Sequence, residues 1–192
     1  MSRSKWNVPP DDELRSEIQK ADEATLDDRV SRLRYILEEF GPPADMLLAG
    51  GTPSMLALRE LQLSFVDGNF LVCVLAAQIF VEHSLGGMFA IAGEDNIVDS
   101  GFASLINEAE RGGAIDNIVA QRLHTLRTMR NPYTHPKVGI HPRSYMARLL
   151  NSSLYDPYAL AEQDAREAIQ IVVDYIRHES PNWTPDAQNT DE

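Results

Sequence analysis

The sequence predicts an all-α protein, and three observations carry that prediction. Apolar residues recur three and four positions apart over long stretches, no segment alternates polar with apolar as a half-buried strand does, and Gly, Pro and Asn cluster only between the periodic stretches. Short connections imply antiparallel neighbours, so the expected architecture is an antiparallel helical bundle with an N-terminal helical extension. With 43% hydrophobic and 24% charged residues, the 192-residue chain is apolar enough to build one core and too apolar for a disordered polymer.

The expected division is residues 1–51 as the extension, 52–178 as the bundle and 179–192 as a polar, proline-broken, disordered tail. Asp11 to Ala24 reads as a surface helix with Leu14 and Ile18 its main apolar pair. Thr25 reads as the N-cap of a second helix, which carries Leu26, Val30, Leu33, Leu37 and Phe40 until Gly41-Pro42-Pro43 stops it. Residues 41–51 form a connector, and a helix restarts at Thr52 with Pro53 in its first turn.

The stretch Phe70 to Ala92 is apolar all round, as expected of a central buried helix. Gln78, Glu82 and His83 near its middle are costly in a bilayer and tolerable in a protein core, so no membrane association is expected. Gly86-Gly87 should loosen the chain before a short helix at 102–111, and a longer helix follows from Ala114 to Arg130. The last helix, about Pro157 to His178, has Asp156 as N-cap, Pro157 at its first position and Ala165, Ala168, Ile169, Val172, Val173 and Ile176 on one face.

Cys73 is the only cysteine and sits in an apolar run, which fits a buried thiol in a reducing compartment. The first residues lack the apolar core of a signal peptide, so the cytoplasm is the expected location. A formal net charge of −12 argues against indiscriminate nucleic-acid binding. The charge is uneven, however: between Asp116 and Asp156 there is no acidic residue, while Arg122, Arg127, Arg130, Lys137, Arg143 and Arg148 give that segment +6.

Inside that segment lies RNPYTHP, residues 130–136. Pro132 has no N–H for the helix ladder and disfavours helical geometry at Asn131, so the long helix should end there, with Asn131 capping a fresh turn and Pro136 stopping it. In an unbroken helix Arg130 and His135 would diverge by about 140° in projection. A break is therefore expected to let them converge. Without further context, Arg130 could equally satisfy helix carbonyls while Asn131 caps and His135 rests in a loop.

An arginine and asparagine followed, after three residues, by a histidine, late in a helical protein, resembles the signature of the HEPN (higher eukaryote and prokaryote nucleotide-binding) superfamily. The segment from Ala57 to Leu85 is similar to that family's opening hairpin, and Asp164 to Ile176 to its closing helix. The resemblance spans about residues 53–178. It implies a dimeric, metal-independent endoribonuclease, a toxin or defence effector, with Arg130, Asn131 and His135 as catalytic residues in a cleft shared by two copies. It also implies RNA as substrate, a homodimer, and an antitoxin or regulatory protein as a further partner.

The chemistry is self-consistent. Cleavage by the RNA's own 2′-hydroxyl needs a base, an acid for the leaving oxygen and positive charge at the phosphate. Histidine can move the protons and arginine grips the phosphate. One His135 cannot serve as base and acid together, so a second copy has a catalytic reason to be present. Glu82, Arg127 and Tyr133 are expected to support the site, Glu82 by holding an arginine and Tyr133 by packing. Arg122, Lys137 and Arg143 are candidates for RNA binding. No cofactor and no metal is expected, since no zinc, P-loop or dinucleotide motif occurs. The competing expectation is a non-catalytic helical module that binds a nucleotide or a protein and uses the motif for dimerisation alone. The acidity of the chain and its long N-terminal helices favour that rival.

Overall fold

The computed structural model describes residues 9–41, 50–135, 141–142 and 144–179, and among them there are eight helices and no strand. They are α1 (Asp11–Phe40), α2 (Gly51–Val66), α3 (Phe70–Ile91), α4 (Asp95–Val98), α5 (Phe102–Arg111), α6 (Asn117–Thr134), α7 (Tyr145–Asn151) and α8 (Pro157–Glu179). The connector at 42–49 and the tail at 180–192 lie outside the described residues.

α3 is the axis of the molecule. It packs on α2, α8, α6 and α5, and Cys73, Val74, Ala77, Phe80, Val81 and Leu85 are fully buried. By length and composition α3 could cross a membrane, yet 61% of its most apolar window is buried against the rest of the protein. α2 and α3 form a hairpin closed by Asn69 N–H donating to Ser64 O at 2.7 Å, with Gly68 at φ 77° supplying the left-handed step. Small residues let the two helices approach: buried Ser54 donates to Phe80 O at 3.3 Å and lies 3.1 Å from Ser84 Oγ.

Contacts along α8 fix its direction. Midway along it Arg166 stacks over Tyr35 and Phe65, and Phe65 meets Phe70 at the beginning of α3; nearer its end Tyr175 meets Phe80 edge-on and Met88. α8 therefore runs parallel to α3. It runs antiparallel to α6, because Tyr133 at the end of α6 reaches Asp164 while His178 reaches Ala114 O just ahead of α6.

Several expectations are corrected. Residues 11–40 form one continuous helix of 30 residues, not two. Thr25 does not cap: its Oγ1 donates back to Ala21 O at 3.0 Å, a bond available to threonine inside a helix when no Gly or Pro interrupts the ladder. The end of α1 joins the core through Ile36 and Phe40, whereas residues 11–28 are exposed. The Gly86-Gly87 pair stays helical and the helix runs to Ile91, with buried Gly86 facing Val98 of α4 and Met88 meeting Tyr175 of α8. α4 and α7 were not foreseen, being too short to show periodicity. Asp156 does cap α8, its Oδ1 accepting from Tyr158 N–H at 2.8 Å.

Candidate functional site

The motif sits at the C-terminal end of α6. This helix is capped by Asp116, whose Oδ1 accepts from Val119 N–H at 2.8 Å, and buries Val119, Ala120, Leu123 and Leu126. It does not end at Asn131, which differs from the sequence expectation. Pro132 lies inside the helix, which continues to Thr134, and Asn131 caps nothing: its carbonyl accepts from His135 N–H at 3.0 Å. The chain leaves helical geometry at His135, with φ −122° and ψ 104°.

Arg130 and His135 nevertheless meet. Arg130 Nη1 lies 3.2 Å from His135 Nε2 and donates to Thr134 Oγ1 at 3.1 Å. The exit at His135, together with the reach of the arginine, does what a break at Pro132 was expected to do. A guanidinium has no acceptor, so Nε2 must accept, which assigns the ring proton to Nδ1 in this arrangement. His135 and Thr134 are exposed, while Arg130 and Asn131 are half-buried.

What orients this last turn comes from the side. Tyr133 OH donates to Asp164 Oδ2 at 2.7 Å, and Arg148 grips the same carboxylate with Nη1 at 2.7 Å and Nη2 at 2.5 Å. Asp164 is buried on α8, and the Tyr145 ring packs 5.1 Å from that of Tyr133. Burial first, and the Asp164 carboxylate second, push the Tyr133 phenol well above its ordinary pKa. Burial likewise raises Tyr145, and the bond to Asp164 raises Arg148. Tyr133 thus packs, as expected, and also donates the bond that ties α6 to α8.

Asp164 and Tyr145 were not singled out from sequence, and Arg148 only as one of the six basic residues between Asp116 and Asp156. A signal existed: Asp164 falls between Leu160 and Ala168 at four-residue spacing, within the apolar stripe of α8, where a carboxylate requires a partner.

The other candidates are dispersed. Glu82 accepts from Gln78 Nε2 at 3.1 Å, and among the described residues no arginine pairs with it, where an arginine was expected. Its neighbour on the same helix face already serves it. Arg127 is half-buried, and its Nε has no hydrogen-bond partner among the described residues. Arg122 is engaged by α8, with Nη2 3.5 Å from Glu167 and Nε 3.0 Å from Asp174, so it braces the bundle. Lys137 and Arg143 lie outside the described residues.

A cleft of about 610 Å³ opens beside the motif, lined among others by Met129, Arg148, Leu154, Asp164 and Gln170; Arg130, Asn131 and His135 do not line it. His124 bonds Asn107 on α5, and no three of His, Cys, Asp and Glu gather as a metal-ligand set among the described residues. The chain matches no protein-family model, no curated protein and no solved structure.

Proposed function

We propose that this protein is a HEPN-type endoribonuclease that cleaves RNA without metal, its site completed by a second copy of the chain. One observation carries the reading: a guanidinium and a histidine acceptor nitrogen 3.2 Å apart at an accessible helix end. In the resting arrangement Arg130 occupies the lone pair of Nε2. An incoming phosphodiester draws the guanidinium onto its oxygens and frees that nitrogen to take the proton of the 2′-hydroxyl. The 2′-oxygen then bonds phosphorus as the 5′-oxygen leaves, and the 5′-oxygen takes its proton from the other copy's protonated imidazole. The products are a 2′,3′-cyclic phosphate and a 5′-hydroxyl.

Asn131, half-buried beside Arg130, is suited to orient the phosphate. A toxin or defence role in the cytoplasm, restrained by an antitoxin, goes with this reading. The test is cleavage of single-stranded RNA by purified protein in chelator, with His135→Ala expected to slow it by roughly 10²–10⁴-fold. Equal rates in the mutant remove His135 from the mechanism. No cleavage by the wild type, with dimerisation lost in Arg130→Ala, selects the non-catalytic module.

A further inference from the structure

We propose that residues 11–28 of α1 are a clasp that grips a second copy of this chain at its motif end. α1 meets the α2–α3 turn through Arg29 Nε to Asp67 at 3.4 Å, Arg32 Nη1 to Val66 O at 3.4 Å and the Tyr35 ring 5.3 Å from Phe65. The α2 side of these pairs rises as the α1 side falls, so the helices are antiparallel and everything before Arg29 lies past the turn. Those residues are exposed on every side and project about 27 Å at the α-helical rise.

The end they leave is the end that bears the motif. Asp164 on α8 touches Tyr133, and two residues along the same helix Arg166 lies over Tyr35 and Phe65. The arm cannot serve its own motif. α1 packs on α2 and α8, whereas α6 lies across α8, about two helix spacings or ~16–20 Å away, and a continuous helix does not fold back.

A second copy facing the first is the occupant that fits. Ile18 and Ile36 are separated by about five full turns, so Leu14 and Ile18 continue the inward face that Ile36 buries, but with nothing beneath them among the described residues: they are 38% and 64% exposed. At the same end Leu63, Leu71 and Val72 are also exposed, offering an apolar landing on the other copy. Charge agrees. Residues 11–28 hold eight carboxylates against Arg15 and Lys20, a net −6, while residues 117–155 contain no acidic residue and include Arg127 and Arg130 near the motif. The inference rests on the proposed function only for the head-to-head pairing of motif ends.

Light scattering of the full chain should give about twice its 21.5 kDa mass. Ile18→Glu, at a position exposed in the single copy, should weaken dimerisation at least ~10-fold and leave the unfolding midpoint of the dilute protein unchanged. Since Cys73 is buried, Ile18→Cys chains mixed with Leu71→Cys chains should be joined by a short bismaleimide into a two-chain product. A monomeric wild type, a dimer indifferent to Ile18→Glu, or failure to join the two chains overturns the proposal. A dimer that dissociates on Ile18→Glu yet cuts no RNA supports the clasp and removes the nuclease; an RNA-cutting dimer indifferent to the substitution does the reverse.

Discussion

Asp164→Ala strikes the bond set that holds the last turn of α6. The carboxylate is 4% exposed and accepts three bonds, one from Tyr133 and two from Arg148. Losing the Tyr133 bond, which is charge-assisted and shielded, costs about 1.5–3 kcal/mol. Breaking a fully buried ion pair would cost ~3–5 kcal/mol more, but the Arg148 side chain is 31% exposed and regains water, which brings that part down to about 1 kcal/mol. The expected loss is therefore ~2.5–4 kcal/mol, read as a fall of roughly 1–2 M in the urea midpoint at an unchanged slope. Tyr133→Phe in the same background should be less than additive by about 1 kcal/mol, because the two residues share one bond. A loss under ~0.5 kcal/mol, or strict additivity, refutes the assignment of Asp164 as the anchor.

Thr25→Ala should leave stability unchanged or raise it by a few tenths of a kcal/mol in thermal unfolding, since Thr25 is interior to a helix; a cap would lose about 1 kcal/mol instead. Gly50→Ala should destabilise by ~1–3 kcal/mol in urea, because its Cβ would fall 1.9 Å from Ser54 Oγ and 2.6 Å from His83 O, and the second of these is backbone that cannot step aside. Burial is the largest cause raising the pKa of Tyr35, Tyr133, Tyr145 and Tyr175, so each keeps its proton more tightly in the fold than in the unfolded chain. Their contribution is complete below about pH 10 and declines above it as the unfolded chain ionises first, so urea midpoints should drop as the pH rises above about 10.

The last helix was legible because its signals are local and agree: a cap, a proline at the first position and a stripe on one face all name the same boundary. Thr25 misled because one hydroxyl can cap a new helix or bond back within an old one, and only the absence of a breaker separates the two. Pro132 misled for a different reason. Its penalty is a property of an isolated helix, and the Tyr133–Asp164 bond that offsets it joins residues 31 apart in sequence. The Arg130–His135 contact lay beyond wheel geometry, which assumes a helix and fails at the residue that leaves it. Glu82, a carboxylate on an almost wholly apolar helix, calls for a partner, and the amide of Gln78 one turn away supplies one without an arginine.

The ring of Pro132 has a further effect on α6. Having no amide hydrogen, it leaves the Thr128 carbonyl without its usual donor, so the final turn is stitched to the rest of the rod by one fewer backbone bond. Its aim is consequently set from outside, by a phenol leaning on a carboxylate that a neighbouring arginine steadies. Substitutions far along the rod should scarcely be felt at the histidine, whereas a small displacement of α7 steers it directly.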